Sequence, residues 1–444
     1  MDKFYHIETY GCQMNTYDSE LVQSQLENIG YNSIDNIELA DIIFLNTCAI
    51  RDKAEKTVHN RLTSIEYIKK RKPSVIIGVL GCMAQNLKDE LLISKPYVDI
   101  ILGPDSYRKI PELVKNRNSS LNHIVDTKLS KYEVYDDLFP KRNSGVNAWI
   151  SIMRGCDKFC TFCIVPFTRG RERSRPVDSI VKEAIDAVKN GFVEITLLGQ
   201  NVNSYSTPEG GFASLLEKIS QVKGVKRIRY TSPHPKDFNS DLLKVMKKYD
   251  NICNYIHMPL QAGSNNILNK MNRNYTKEEF LDLVYMIREH IPNCTISTDI
   301  IVGFPGETDL EFSETLEMMK KIKFNFSFMF KYSSRPGTKA AEYDNQISEE
   351  VKQKRLERLI DLQSKITLNS NKEKIGSIQY VLIEKESKKS SNSWSGRTDG
   401  NTWTIIEKNN ESIKDIVPVK ITHARGVTLF GNCLNKKELS YETN

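Results

Sequence analysis

The sequence predicts an α/β protein in three parts: an N-terminal doubly wound parallel sheet, a central partial barrel of six strand–helix units, and a small C-terminal all-β barrel. Short apolar runs alternate with amphipathic helical segments up to about residue 125, and the alternation resumes after residue 146. Beyond residue 376 the helical periodicity stops, and short strand-like pieces are separated by Gly, Asn, Asp and Ser. A chain of 444 residues is also too long for one ordinary core.

The first domain is expected over residues 1–125, followed by a polar linker over 126–145. Apolar strand patterns alternate there with helical patterns that carry one apolar face, as a parallel sheet covered on both sides requires. The predicted strands are Lys3–Tyr10, Asp41–Thr47 and Ser74–Leu80, and the predicted helices are Asn15–Ile29, Asp52–Lys70 and Ala84–Ser94.

The second domain is expected over residues 146–375 and the third over 376–438. Six strand–helix units favour a partial barrel over a closed eightfold one. Its predicted strands are Ala148–Met153, Val193–Leu198, Val225–Tyr230, Tyr255–Met258, Thr295–Val302 and Asn325–Tyr332, and a long charged helix, Glu349–Lys374, closes it. The strand-like pieces of the third domain, typical of a small β-barrel, are Ile378–Glu384, Thr402–Ile406, Ile416–Ile421 and Gly426–Leu429.

Composition restricts the class of protein. No apolar run reaches the roughly 20 residues that span a bilayer, and the N-terminus lacks a secretory pattern, so we expect a cytoplasmic protein without membrane association. The net charge of +7 is mild, but residues 141–175 carry eight basic against two acidic residues, which fits either a phosphate-rich partner or a solvated loop. Nothing demands more than a monomer. Nine cysteines, an odd number, should be reduced there, which favours metal binding or catalysis over disulfides.

The strongest motif is a run of three cysteines directly after the first predicted barrel strand. Cys156, Cys160 and Cys163, here called the barrel triad, have spacings of four and three residues. Three thiolates on one loop leave one iron of a 4Fe–4S cluster open, as a cluster that binds a substrate requires. A structural zinc site would need a fourth Cys or His nearby, and none follows within ten residues.

A second set of cysteines follows three predicted parallel strands. Cys12, Cys48 and Cys82, here called the N-terminal triad, each lie one or two positions beyond a strand end. Because ligand sites of open α/β sheets gather at the carboxyl ends of the strands, we expect the three to converge and to hold a second cluster with one open iron. Gly11 and Gly81 fit tight turns beside them. The remaining cysteines, Cys253, Cys294 and Cys433, show no such pattern and are expected to be structural.

The sequence segments around both triads resemble those of known protein families. The barrel triad, with Phe162 before its last cysteine, resembles the motif of the radical S-adenosylmethionine (SAM) superfamily. The whole chain is similar to the methylthiotransferases, and within them to the MiaB branch, the tRNA-2-methylthio-N6-dimethylallyladenosine synthases. The segments that carry this similarity are 11–15, 46–51, 151–170, 197–203, 261–264 and 302–308, and segment 395–398 resembles the TRAM module, a small RNA-binding β-barrel.

The resemblance implies a function, cofactors and partners. The cofactors would be two 4Fe–4S clusters and SAM, used twice: one SAM methylates a sulfur atom at the N-terminal cluster, and a second yields a 5′-deoxyadenosyl radical at the barrel cluster. The substrate would be N6-isopentenyladenosine at position 37 of tRNA, next to the anticodon, which would receive a methylthio group at C2. An external electron donor would reduce the clusters. A radical route suits C2 because it is an unactivated aromatic C–H carbon.

Further residues are weaker candidates for SAM or RNA contacts. Polar residues at the carboxyl ends of the barrel strands lie where barrel active sites form, and we expect these to contact SAM or substrate: Gly199, Gln200, Asn201, Ser232, Gln261 and Asp299. The run Arg169, Arg171, Arg173, Arg175 either meets the tRNA backbone or the SAM carboxylate, or is a solvated loop. In the third domain, Arg397, Trp394 and Trp403 are candidates for RNA contacts, and the tryptophans are equally well explained as barrel core.

Two alternatives remain open. A sister methylthiotransferase would act on threonylcarbamoyladenosine in tRNA or on an aspartate of a ribosomal protein. A non-catalytic cluster protein would transfer electrons or bind RNA, but an electron carrier usually closes its cluster with a fourth cysteine, which the barrel triad lacks. Analysis of hydrolysed tRNA for methylthio nucleosides separates the three.

Overall fold

The computed structural model describes residues 2–49, 52–117, 123–435 and 439. Its N-terminal part is a six-stranded parallel sheet with strand order β2-β1-β3-β4-β5-β6, which confirms the predicted fold class. The strands are β1 (Lys3–Thr9), β2 (Tyr31–Ser33), β3 (Ile42–Thr47), β4 (Ile76–Gly81), β5 (Ile100–Leu102) and β6 (Ile124–Asp126). The helices are α1 (Gln13–Glu27), α2 (Asp52–Arg71), α3 (Cys82–Leu87), α4 (Asp89–Ser94) and α5 (Ile110–Arg117).

The sheet is parallel, and the helices that connect its strands cover both of its faces. Every residue of β3 and β4 is buried, and successive side chains alternate between two cores. Phe44 packs with Tyr17 and Leu21 of α1 on one face, whereas Ile43 and Leu45 pack with residues of α2 on the other. A strand buried on both sides reads as a continuous apolar run, which is the pattern of D-I-I-F-L-N-T.

One local expectation for this part was wrong, and one segment is more closely packed than its polar sequence suggests. The helix predicted over Ala84–Ser94 is divided into α3 and α4, because Lys88 adopts a left-handed backbone with φ of 43°. Residues 127–145, expected as a linker, contain no regular element but are packed. The Tyr135 ring is fully buried and stacks on Tyr107, with ring centroids 5.9 Å apart, and its hydroxyl donates a hydrogen bond to the Pro104 carbonyl at 2.9 Å.

The central part contains the six predicted barrel strands. They form two three-stranded sheets, β13-β10-β7 and β14-β15-β16, which an isolated parallel bridge between Ile228 and Ile252 connects. The strands are β7 (Asn147–Ser151), β8 (Met153–Arg154), β9 (Arg173–Ser174), β10 (Glu194–Leu198), β11 (Ser206–Thr207), β12 (Gly210–Gly211), β13 (Arg227–Tyr230), β14 (Tyr255–His257), β15 (Thr295–Val302) and β16 (Phe326–Lys331). The helices are α6 (Val165–Arg169), α7 (Val177–Lys189), α8 (Phe212–Ser220), α9 (Ser240–Lys248), α10 (Asn265–Lys270), α11 (Lys277–His290), α12 (Asp309–Ile322) and α13 (Glu349–Lys372).

The C-terminal part is a closed barrel with strand order β17-β18-β19-β21-β20. Its strands are β17 (Ile378–Ser387), β18 (Ser390–Thr398), β19 (Trp403–Glu407), β20 (Ile416–Arg425) and β21 (Thr428–Cys433). The sequence pattern missed β18, because S-S-N-S-W-S-G-R-T has no apolar alternation. Its pairing with both neighbours is what closes the barrel.

By compactness the chain divides into two units that do not follow the sequence order. The first unit comprises residues 1–144, 149–183 and 197–200, and the second comprises 145–148, 184–196 and 201–444. Both cysteine triads therefore belong to the first unit. Among the described residues no helix is long and apolar enough to cross a membrane.

Candidate metal centre

The N-terminal triad follows three adjacent strands of the sheet. Strands β1, β3 and β4 are neighbours in parallel register, so their carboxyl ends lie side by side. Cys12 is the residue before α1, Cys48 directly follows β3, and Cys82 begins α3. Cys48 and Cys82 are buried and Cys12 is half-buried. The three strand ends on which the triad was expected are thus adjacent at one edge.

Two glycines let these three strand ends approach one another. Gly11 has φ of +129°, and a Cβ atom there would lie 2.6 Å from the Cys48 Cβ. Gly81 has φ of +91°, and its Cβ would lie 2.5 Å from the Asn46 Oδ1. Any side chain at either position would push the cysteine-bearing turns apart, so glycine is required for both its backbone and its size.

A pair of buried asparagines fixes the turn that carries Cys12 against the turn that carries Cys48. The Asn15 Nδ2 donates to the Asn46 Oδ1 at 3.2 Å and to the Thr47 carbonyl at 2.9 Å, and the Asn46 Nδ2 donates to the Asn15 carbonyl at 2.8 Å. The Cys12 Sγ lies 3.3 Å from the Asn15 Oδ1. The motifs G-C-Q-M-N and N-T-C are therefore two halves of one hydrogen-bonded structure.

The barrel triad lies on the loop between β8 and α6. The loop is closed at its base, where the Cys156 amide donates to the Gly170 carbonyl at 3.2 Å, and turned at its end, where the Cys163 amide donates to the Cys160 carbonyl at 2.9 Å. All three cysteines and Phe162 are half-buried. Burial raises the pKa of Cys156 to about 11, and a bound metal centre would favour the thiolate form of this side chain.

One buried carboxylate joins the helix after Cys12 to both sides of the barrel triad. Asp18 of α1 is fully buried. Its Oδ1 accepts from the Arg154 Nη1 at 2.9 Å, and its Oδ2 accepts from the Arg169 Nη2 at 2.9 Å. Arg154 lies two residues before Cys156, and Arg169 lies six residues after Cys163. Asp18 therefore positions the loop of one triad relative to the helix that follows the other.

Helix α6 also touches the N-terminal triad. Cys82 packs in a small apolar cluster with Ala49 and Ile164, the residue that follows Cys163. Burial raises the pKa of Cys82, whereas the charge of Arg169 and a hydrogen bond with Thr168 act in the opposite direction. The last two residues of α6 are thus neighbours of Cys82.

The residues present fit a pair of iron–sulfur clusters. Two buried donors of the first unit, the Arg169 Nη1 and the Tyr107 hydroxyl, have no hydrogen-bond partner among the described residues, as expected of groups that face a bound acceptor. Within the same residues no three His, Cys, Asp or Glu side chains are spaced to hold a single metal ion. A four-iron cluster binds each cysteine through a different iron and so asks for more widely separated thiolates.

The arginine run that follows the barrel triad is mostly buried. Arg169 is 2% exposed, Arg173 forms an ion pair with Asp105 at 2.8 Å, and Arg175 forms a buried pair with Glu183. The expectation that Arg169 contacts RNA is corrected, because its guanidinium is enclosed and bonded to Asp18. Arg171 alone of the four is exposed, with a partly exposed partner, Asp157, at 2.6 Å.

Arg397 of the C-terminal barrel also forms ion pairs within the protein. Its Nη2 lies 3.0 Å from the fully buried Glu194, and its Nε lies 2.5 Å from Glu384. Glu194 pairs in addition with Arg229 at 3.0 Å. The expectation that Arg397 contacts RNA is therefore corrected: it ties β18 to the barrel strands.

The SAM candidates are divided between the two units. Gly199 and Gln200 belong to the first unit, after β10, and the Gln200 Oε1 has no partner among the described residues. Asn201 belongs to the second unit, where its Nδ2 donates to Asp237 at 2.7 Å and its Oδ1 accepts from the His234 amide at 3.1 Å. Because both ends of its amide are bonded, Asn201 shapes the following loop, and a direct SAM contact is not supported.

The other candidates in the second unit have an unusual backbone or, in Asp299, a half-buried carboxylate. Ser232 and Gln261 have positive φ angles of 56° and 71°, which non-glycine residues rarely adopt. The Gln261 amide donates to the Asp299 carbonyl at 2.8 Å, and its Oε1 has no partner in the described part of the chain. The Asp299 carboxylate lies 3.4 Å from the His257 Nε2.

Sequence reasoning missed three features of the site. Asp18 lies within the apolar stripe of α1. An acidic residue at such a position indicates a buried polar contact, and this could have been noticed in the sequence. Tyr107 gave no signal. Phe326, Phe328 and Phe330 alternate along β16, the last strand of its sheet, and are 37%, 44% and 38% exposed. Phe328 pairs in register with Asp299, so the three rings share one face with that carboxylate.

Three family models match consecutive parts of the chain. Residues 4–103 match the uncharacterized protein family UPF0004, residues 150–319 match the radical SAM superfamily, and residues 372–434 match the TRAM domain. A solved radical S-adenosylmethionine methyltransferase, TsrM from Kitasatospora setae, superposes with a TM-score of 0.59 over 77% of each chain at 13% identity. The cobalamin-dependent S-adenosylmethionine radical enzyme OxsB gives 0.53 over 82% of this chain and 56% of its own, at 14% identity. These likenesses support the fold.

Full-length relatives are far more similar. A tRNA-2-methylthio-N(6)-dimethylallyladenosine synthase of Christiangramia forsetii is 46% identical over 96% of this chain and 92% of its own. One of Chloroherpeton thalassium is 45% identical over 97% and 96%. Enzymes of this kind use SAM and 4Fe–4S clusters. At this identity and coverage, the chain belongs to the family of tRNA-2-methylthio-N(6)-dimethylallyladenosine synthases.

Proposed function

We propose that the protein attaches a methylthio group to C2 of N6-isopentenyladenosine at position 37 of tRNA, with one SAM as methyl donor and a second as radical source. The observation that carries this proposal is the presence of two cysteine triads in one compact unit, joined through Asp18. When bound, the clusters and SAM supply the sulfur, the methyl group and the 5′-deoxyadenosyl radical, which no side chain can supply.

The chain's own residues would hold and orient these groups. Cys156, Cys160 and Cys163 would ligate the cluster that binds SAM, and Cys12, Cys48 and Cys82 would ligate the second cluster. The ion pairs of Asp18 with Arg154 and Arg169 would keep the two loops in a fixed relation, since a fully buried carboxylate with two guanidinium partners has little freedom.

Within the first unit, contacts to SAM would come from Phe162, Gly199 and Gln200; within the second unit, Ser232, Gln261 and Asp299 are candidates for contacts to SAM or substrate. The unpaired Oε1 atoms of Gln200 and Gln261 support this proposal, because buried amide oxygens need donors, and the SAM amino group and ribose hydroxyls are donors. The left-handed backbone at Ser232 and Gln261 supports it as well, since strained residues gather at ligand sites.

The apolar face of β16 would receive the substrate base. Phe326 and Phe328 stand edge to face, with ring centroids 4.8 Å apart, and Phe328 also packs edge-on against His257 at 5.7 Å. Aromatic rings left partly open to solvent beside a carboxylate suit an adenine that carries an apolar five-carbon group. We propose that this face distinguishes prenylated from unprenylated adenosine.

The domains and partners follow from this reading. Residues 1–125 would carry the second cluster, 146–375 the radical SAM chemistry and 376–438 the RNA-binding barrel, with Arg171 as a further RNA contact. The substrate is tRNA, an external donor would supply electrons, and the protein would act as a monomer in the cytoplasm.

The test is anaerobic turnover followed by mass spectrometry of hydrolysed tRNA. The reconstituted protein, SAM and a low-potential reductant are incubated with tRNA that carries isopentenyladenosine, and separately with threonylcarbamoyladenosine tRNA and with ribosomal protein. A methylthio product on the first substrate supports the proposal, and a product on another substrate identifies the sister activity. No product on any of them and no cleavage of SAM, from protein shown to hold both clusters, would favour the non-catalytic alternative.

A further inference from the structure

We propose that Arg169 and Tyr107 are positioning residues that donate hydrogen bonds to the cluster held by Cys12, Cys48 and Cys82 and raise its reduction potential. The inference rests on the proposed presence of that cluster and is independent of which RNA the enzyme modifies. Neither residue is a ligand or touches the barrel triad's cysteines in the described contacts.

Arg169 has an unused donor in a buried place. Its side chain is 3% exposed, and its Nη2 is occupied by the Asp18 Oδ2 at 2.9 Å. Its Nη1 has no hydrogen-bond partner among the described residues. A guanidinium N–H that is buried without an acceptor is expensive, so the assembled protein is expected to provide one.

Tyr107 offers a second unused donor at the same place. The residue is fully buried, and its hydroxyl has no partner in the described part of the chain. Burial, together with the negative charge of Asp18, raises the pKa of Tyr107 well above its usual value, so the hydroxyl keeps its proton. It belongs to the apolar core against which Cys12 packs.

The N-terminal triad is the acceptor site that both donors can share. Arg169 ends α6, whose residue Thr168 is a hydrogen-bond neighbour of Cys82 and which begins next to Ile164, in contact with Cys82. Arg169 directly follows Thr168 on α6, so its unused Nη1 belongs to the same short helix as the neighbours of Cys82, although that helix comes from the segment that follows the other triad.

Pairing with Asp18 alone does not explain why the residue at position 169 is an arginine. Asp18 is already paired with Arg154 at 2.9 Å, and a lysine at position 169 could supply the second charge with a single donor group. The planar fork of an arginine matters where both arms have acceptors. Hydrogen bonds to cluster sulfurs and nearby positive charge stabilise the reduced, more negative state, and both raise the potential.

The experiment is an EPR-monitored redox titration of the full-length chain. The three cysteines of the barrel triad are replaced by alanine, so that the signal comes from the N-terminal triad, and the same variants are compared in the two-cluster holoenzyme. The variants are Arg169→Gln, Arg169→Lys and Tyr107→Phe, with the exposed Arg171→Gln as matched control. Iron content and thermal unfolding are measured for each.

The proposal expects Arg169→Gln to lower the midpoint potential by about 60 mV, which is a tenfold loss of preference for the reduced state in a one-electron couple, and to change the g-values. Tyr107→Phe should shift the potential in the same direction by less, Arg169→Lys should recover part of the shift, and Arg171→Gln should have no effect. Unchanged potentials and g-values in Arg169→Gln and Tyr107→Phe, with iron retained, would overturn the inference. If Arg169→Gln fails to fold, Tyr107→Phe decides alone. A parent protein without any signal would instead refute the cluster itself.

Discussion

Replacing Asp18 by alanine tests whether one carboxylate holds the two cysteine-bearing segments together. The substitution removes the acceptor of Arg154 and Arg169, which are 1% and 2% exposed, and leaves both guanidinium groups in the interior. Arg154 keeps the Pro104 carbonyl at 2.9 Å and the buried Asp105 carboxylate at 3.7 Å. Arg169 keeps no carboxylate within ion-pair distance among the described residues.

The expected cost follows from this loss. Removing one partner of a buried ion pair typically destabilises a protein by about 3–5 kcal/mol, because the remaining charge is buried without compensation. In a unit of this size, about 1 kcal/mol shifts the unfolding midpoint by about 2–4 °C. The first unit should therefore unfold roughly 6–20 °C lower in Asp18→Ala.

The assay can be made specific to that unit. The chain has three tryptophans, and Trp149 is the one that lies in the first unit. In a background with Trp394→Phe and Trp403→Phe, the fluorescence of Trp149 reports its unfolding. The control is Asp157→Asn, which breaks the exposed pair with Arg171 and should leave the midpoint unchanged.

A midpoint for Asp18→Ala within about one degree of the control would refute the reasoning, because the buried guanidinium of Arg169 would then have lost its ion-pair partner without a measurable loss of stability. Asp18→Asn separates charge from shape: it should recover the packing and one hydrogen bond but little of the lost stability. Reconstituted iron should fall in the same order, with Asp18→Ala lowest, since both cluster loops lose their common anchor.

Three further outcomes are expected. Burial opposes ionisation of Glu194, but Arg229 and Arg397 outweigh this effect and lower the pKa of its carboxyl group. The parent protein should therefore lose stability as the pH falls below about 4.5. Thermal unfolding measured across pH should show a smaller loss in Glu194→Gln. Phe328→Ala should reduce turnover of prenylated tRNA, measured as methylthio product, whereas Phe328→Leu should retain much of it; equal turnover in both would contradict a substrate role. In Gly155→Ala the new Cβ would meet the Arg171 carbonyl at 2.0 Å with φ of +78°, so iron analysis should show loss of the barrel cluster, about half of the total.

The fold was largely predictable because its long elements carry strong periodicity. Thr295–Val302 was predicted with the bounds that the structure gives it. Three strands of the N-terminal sheet that escaped prediction, Tyr31–Ser33, Ile100–Leu102 and Ile124–Asp126, have three residues each, too few to display a period of two. Their position in the sheet is decided by tertiary pairing with longer neighbours, which a local pattern cannot reveal.

The candidate site was likewise predictable only in part. The two triads were predictable, since one lies on a single loop and the other at the ends of strands that the sequence identifies. The Asp18–Arg169 pair was not, because it joins residues 151 positions apart whose association depends on how α6 packs. Local sequence reports which groups are chemically competent, and only the packed structure reports which of them are already used.

The basic segment that follows the barrel triad shows why this difference matters for RNA recognition. In sequence its arginines resemble a phosphate-binding surface, but three of the four neutralise buried carboxylates, so they cannot release counterions on meeting a polyanion. Arg397 is likewise held in ion pairs within the protein. Exposed charge next to aromatic surface persists elsewhere in the C-terminal barrel, where the exposed Lys385 lies 4.8 Å from the ring of Trp403. Pairs of this kind, able to meet a phosphate and a base together, are better suited to bind RNA than the arginines that the charge pattern singled out.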